Sequence, residues 1–221
     1  MARLPRLEVP GLAHLVILRG HGGQLVFVDR QDRQCFLDAL AKAASEHKVQ
    51  VHAYALLASE VQLLLTPAAP AALGRVVQAL GRRYVSAYNR RHGRTGTLWD
   101  GRYRAAAVEP GPLLLAALQL VDSACGDPGG SSIGHRTGAG HDPLLVDPPE
   151  VWQLGNTPFD REAAYRARLA EGVPRVTAER LRHAALGGWV AGTDAFASRL
   201  GATLGRPTRP RPRGRPRSRP A

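Results

Sequence analysis

Acidic residues are missing where the chain is most basic. No Asp or Glu falls between Glu60 and Asp100, yet six arginines do: Arg75, Arg82, Arg83, Arg90, Arg91 and Arg94. Seven more follow from Arg206 onward, and these thirteen account for the whole of the formal net charge of +12. Charge segregated in this way points to a polyanionic partner. No apolar amphipathic face accompanies the basic tail, which favours nucleic acid and argues against a membrane partner. Cysteine is scarce as well. Cys35 and Cys125 have no metal-ligand spacing, so a reduced, cytoplasmic protein is the expectation. Long apolar runs are absent: none approaches the roughly 20 residues needed to cross a bilayer. The opening MARLPRLEVPG lacks the apolar stretch of a signal peptide, in keeping with a cytoplasmic location.

What is present suffices for one domain with appendages, since 44% of the 221 residues are hydrophobic. Residues 51–67, VHAYALLASEVQLLLTP, read as two strands joined by a tight connection at Ala58, Ser59 and Glu60, the second strand closed by Pro67. Upstream, residues 13–19 form a first strand, followed by a glycine-rich turn and a short extended piece over 25–28. Asp29 caps a helix to about His47, with Phe36, Leu37, Leu40 and Ala44 on one face. A second helix covers 71–91, its apolar side formed by Leu73, Val76, Val77, Leu80, Tyr84 and Tyr88. A fourth strand near 103–109 and a third helix from Pro112 to about Ser123 complete the order β-α-β-β-α-β. That order predicts an α+β, ferredoxin-like sheet with helices on one face.

Beyond it, residues 126–149 (GDPGGSSIGHRTGAGHDPLLVDPP) read as a long, flexible linker. Three short helices follow, opening at Thr157-Pro158, at Thr177, and at Thr193 or Asp194; the pattern suits a helix-turn-helix or a plain packing bundle. The expected divisions are therefore 1–125, 126–149, a helical accessory region 150–204, and a basic tail 205–221.

Residues two apart on a strand face the same way, so Glu60 and Gln62 project together. The wording spread around this pair is distinctive. It comprises MARLPR at 1–6, Val9-Pro10-Gly11, Arg19-Gly20, His52-Ala53-Tyr54, LLLTP at 63–67, GRRYV at 81–85, YNRR at 88–91, GRTGTLW at 93–99 and GRYR at 101–104. Over residues 1–118 it resembles the REP-associated tyrosine transposases, a branch of the single-tyrosine HUH transposases. The resemblance implies a ferredoxin-like domain whose strand carries two metal-holding histidines. A tyrosine on the third helix attacks the scissile phosphate and leaves DNA joined through a phosphotyrosine. DNA is the implied partner, and a homodimer is implied because the insertion-sequence branch works as dimers.

The chain departs from that pattern where the reaction happens. Glu60 and Gln62 stand at the expected metal positions and Leu120 stands at the nucleophile position, so no catalytic residue is assigned. Oxygen ligands at 60 and 62 suit Mg²⁺ or Mn²⁺ in principle, yet two polar side chains on a solvated sheet face are the simpler reading. Tyr84 and Tyr88 are spaced for packing or base stacking more than for nucleophilic attack. His14 and His52 read as strand histidines, and His135 and His141 form no known ligand spacing. The expectation is a DNA-binding protein of transposase ancestry without strand cleavage and without a cofactor. One alternative is an active enzyme, using Mg²⁺ or Mn²⁺, that cleaves and rejoins single-stranded DNA through a tyrosine; another is a structural or interaction remnant that binds no DNA. Expected contacts to hairpin or single-stranded DNA are Arg82, Arg83, Tyr84, Arg90, Arg91 and Trp99. Arg213, Gly214, Arg215 and Pro216 form an AT-hook-like core suited to the minor groove of A·T-rich duplex, or to any phosphate backbone.

Overall fold

The structure is a computed structural model that describes residues 6–210. Arg213, Gly214, Arg215 and Pro216, and with them the AT-hook-like expectation, lie outside the described residues.

Four strands build one sheet: β1 (His14–Arg19), β2 (Val49–Leu56), β3 (Glu60–Pro67) and β4 (Arg104–Ala107). They run in the order β2-β3-β1-β4, with every neighbouring pair antiparallel. That is the α+β, ferredoxin-like arrangement expected from the element order. The chain is carried between strands by α1 (Arg30–His47) and α2 (Ala72–Arg91), then continues into α3 (Pro112–Asp122). Asp29 caps α1 as expected, accepting a hydrogen bond from the Asp32 backbone N–H at 3.0 Å. After α3 come two short helices, α4 (Ile133–Thr137) and α5 (Pro149–Trp152), and three longer ones, α6 (Pro158–Glu171), α7 (Arg175–Gly187) and α8 (Asp194–Leu204).

Both faces of the sheet are buried, each by a different set of helices. Val16, Leu18, Leu63 and Leu65 face α1 and α2 in one core. Leu15, Ile17 and Leu64 face α3, α6 and α7 in another. The crossover helices thus share one face, as expected, but the opposite face is covered as well. Alternation along β1 and β3 supplies an apolar side chain to each core in turn, which is why the strands read as nearly continuous apolar runs.

Three local expectations are corrected. Residues 25–28 form no strand. The Tyr84 hydroxyl donates to the Val26 carbonyl and Tyr88 donates to that of Leu25 at 3.1 Å, while the Val26 N–H donates to Ala58. The segment is therefore held by side chains, without a strand ladder. Residues 126–149 do not form a loose connection: Ser131 bridges to Ala55 and Leu145 to Val51 along the outer edge of β2. Arg136 anchors the segment from within, its buried guanidinium paired with Asp122 at 3.0 Å and Asp147 at 2.9 Å. The helix expected to open at Thr177 begins at Arg175, after Pro174.

Candidate functional site

Glu60 and Gln62 lie on β3 with side chains on the α3/α7 face, as the period of two requires. Arg19 is the cross-strand partner of Glu60, and directly opposed residues share a face. Its Nε donates to Glu60 Oε2 at 2.9 Å. From above, Arg182 of α7 donates through Nη1 and Nη2 to the two carboxylate oxygens at 3.0 and 3.1 Å. Gln62 Nε2 supplies a fourth donor, to Glu60 Oε1 at 2.9 Å. A carboxylate offers about four lone-pair positions, so these four donors saturate it. Burial alone would raise the Glu60 carboxyl, but the hydrogen bonds from Arg182, Gln62 and Arg19 outweigh it and hold the group below the usual carboxylate range.

The surface expected to be solvated is therefore covered. The residues present do not fit a divalent cation: the one carboxylate is fully engaged, Gln62 brings a single neutral oxygen, and two guanidinium groups occupy the space around them. Leu120 comes close to this cluster. It lines a cavity of about 390 Å³ together with Gln62, Leu15, Ile17 and Arg182. The fold thus brings together the positions that the resemblance pairs, but with side chains of different chemistry.

The histidines and tyrosines are structural. His14 Nε2 accepts the Val9 N–H at 3.2 Å, so its proton sits on Nδ1, which donates to the Leu12 carbonyl at 2.8 Å. Burial pushes His14 down to about 4, against the smaller pull of that carbonyl. His52 lies between the Val146 carbonyl at 2.6 Å and Thr66 Oγ1 at 2.8 Å, and burial lowers it too. Burial raises the Tyr84 hydroxyl, the opposite of what a nucleophile needs.

Of the arginines expected to meet DNA, two are committed to the fold. Arg83 pairs with Glu46 at 2.7 Å, and Arg91 with Asp29 and Asp32, joining the end of α2 to the start of α1. Arg82 and Arg90 are exposed and have no ion-pair partner among the described residues. Arg75 joins them: at 100° per residue, Arg75, Arg82 and Arg90 fall within a stripe about 80° wide and about 22 Å long. The seven-residue spacing of Arg75 and Arg82 carried that signal in the sequence. Tyr84 is corrected as a stacking surface, because its ring is wholly buried against Phe27, Phe36 and Tyr88. Trp99 is half-buried and packs on Phe36 and Tyr84, its buried indole N–H without a hydrogen-bond partner among the described residues.

The fold and this site define an α+β protein with a four-stranded ferredoxin-like sheet covered on both faces. No family model matches the chain, and no curated protein does. Nine chains of solved structures match it. One is a REP-associated tyrosine transposase bound to a REP hairpin, with a TM-score of 0.53 and 11% identity over 68% of this chain and 93% of that one. Another is a candidate transposase from Deinococcus radiodurans R1, with 24% identity over 49% of this chain and 88% of that one, at a TM-score of 0.38. At 11% identity the first likeness is one of fold.

Proposed function

We propose that this chain is a DNA-binding protein of transposase ancestry that does not cleave DNA strands. The observation that carries the reading is the saturated Glu60 carboxylate beside Leu120: two arginines fill the place where the resemblance puts a metal, and the helix position expected to carry the tyrosine carries leucine. DNA as the partner is supported by the exposed stripe of Arg75, Arg82 and Arg90, and by the fold shared with a transposase bound to a REP hairpin. Three guanidinium groups spread over about 22 Å of helix can each meet a phosphate of a nucleic-acid backbone.

The test is the salt dependence of binding to a DNA hairpin. Each phosphate contact contributes a slope of about −0.9 in log K against log salt for duplex. Replacing Arg82 and Arg90 together by Ala is expected to flatten the slope by about 1.8 on this basis. Deleting residues 205–221 is expected to weaken A·T-rich duplex binding more than hairpin binding. A hairpin affinity indifferent to salt, or unchanged in the double variant, would contradict the proposal.

A further inference from the structure

The cavity beside Leu120 has a chemistry of its own. Leu15, Ile17, Leu120, Leu169 and Val173 give it an aliphatic wall, while Gln62, Ser123 and Arg182 stand at one side. Its volume of about 390 Å³ lies toward the small end of the range of roughly 300–1,000 Å³ occupied by small-molecule sites, which are mostly apolar with a few placed polar groups. Of the charged groups Arg182 and Glu179 line the cavity, while Glu60 and Arg19 adjoin it through Arg182, outside the lining; together these groups carry an unbalanced charge. Glu60 contributes one negative charge against the positive charges of Arg19 and Arg182, and Glu179 at the rim is already matched by Arg175 at 2.7 Å. One positive charge therefore remains beside an apolar chamber. Arg182 is nearly half exposed, so its guanidinium keeps donors beyond the two that hold Glu60. The Gln62 side-chain oxygen has no hydrogen-bond donor among the described residues.

We infer that this cavity binds a small amphipathic carboxylate, with an aliphatic body against Leu15, Ile17, Leu120 and Val173 and its anionic head at Arg182. Each half of the ligand answers a separate feature. The wall favours apolar surface, which gains by leaving water. The excess guanidinium charge selects an anion over a neutral or cationic head, and a carboxylate matches its planar donors. The site is independent of the basic stripe on α2, so it stands or falls apart from DNA binding.

A titration of the full-length, methyl-labelled protein by NMR tests this, with sodium octanoate, 1-octanol and octylammonium as probes. Octanoate is expected to give saturable shifts at the methyls of Leu15, Ile17, Leu120 and Val173. Its affinity is expected to be at least tenfold that of octylammonium, with octanol between them. Leu120→Trp, which fills the chamber from a partly buried helix position, is expected to abolish the shifts. Arg182→Gln is expected to bring octanoate down to the affinity of octanol. Absence of saturable shifts, shifts centred elsewhere, or octylammonium binding as tightly as octanoate would overturn the inference. These outcomes are read on the unaltered protein and do not depend on any variant folding.

Discussion

Glu60 shows how completely the neighbours of a single carboxylate can engage it. Four donors surround it, and two of them, both from Arg182, arrive from a helix more than a hundred residues away in sequence. Arg182→Met removes two of the four and is expected to lower stability by about 1–2 kcal/mol, because a largely buried acceptor loses partners while Arg19 and Gln62 remain. Urea denaturation checks this, a lower midpoint at unchanged slope being the expected result. The same geometry bears on rebuilding a metal site. With His at both 60 and 62, the Arg182 guanidinium would still lie beside the cation, and one unit charge at 4 Å opposes another by about 4 kcal/mol at an effective dielectric of 20. Glu60→His with Gln62→His should therefore bind Mn²⁺ weakly, and adding Arg182→Ala should tighten it at least tenfold. Equal calorimetric affinities for the two variants would contradict this.

His14 makes a prediction in pH. The unfolded chain takes up a proton near the ordinary imidazole value of 6.5, whereas burial holds the folded group down to about 4. Between those values the unfolded state binds the extra proton, so stability is greatest above 6.5 and falls as pH drops toward 4, by up to about 1.4 kcal/mol per pH unit. His52, also lowered, acts in the same direction. Urea midpoints measured at several pH values across this window should drop for the native protein and drop less for His14→Gln. Parallel slopes would show that His14 is protonated in the fold.

Among the elements, the first four strands and first three helices were legible because each writes its own period and punctuation. Asp29, Pro67, Pro112 and Thr157-Pro158 mark ends that the structure reproduces within a residue or two. Residues 126–149 were not legible, because composition reports backbone freedom and is silent about a buried partner. What orders them is Asp122 at the end of α3, which accepts from the Ser132 hydroxyl, from Arg136 at 3.0 Å and from the Tyr165 hydroxyl at 2.6 Å. That network joins α3, α4 and α6, elements that no local pattern links. Asp122→Asn breaks a fully buried ion pair and is expected to destabilise the protein by roughly 3 kcal/mol. Protease sensitivity within 126–149 should rise with it, and a variant as stable and as resistant as the native chain would contradict the role given to Asp122.

The covering of the second sheet face was invisible for the same reason. Helical periodicity in α7 shows that Leu181, Ala184 and Ala185 share a side, but not that the side meets the sheet beside Glu60. The candidate site was therefore half legible: positions 60, 62 and 120 could be named, whereas the arginine that closes them could not. The basic helix was only partly legible as well, since sequence cannot tell Arg82 and Arg90, which have no ion-pair partner among the described residues, from Arg83 and Arg91, which pair with Glu46, Asp29 and Asp32.

At the scale of the whole molecule, one side of the sheet carries the arginine-studded α2, and the other carries a closed cluster of Glu60, Gln62, Arg19, Arg182 and Leu120. On the proposed reading binding and chemistry are thereby separated: the first face is the one proposed to meet a phosphate backbone, and on the second Glu60 is held by arginines and Leu120 stands where the resemblance expects a tyrosine. The measurement that tests this most directly uses an end-labelled DNA hairpin with a single-stranded flank, incubated with the protein and Mg²⁺ or Mn²⁺ and divided between a native and a denaturing gel. The account predicts a salt-sensitive shifted band on the native gel, and on the denaturing gel only free DNA of unchanged length. A labelled protein–DNA band that survives denaturation, or a shortened DNA product, would contradict it.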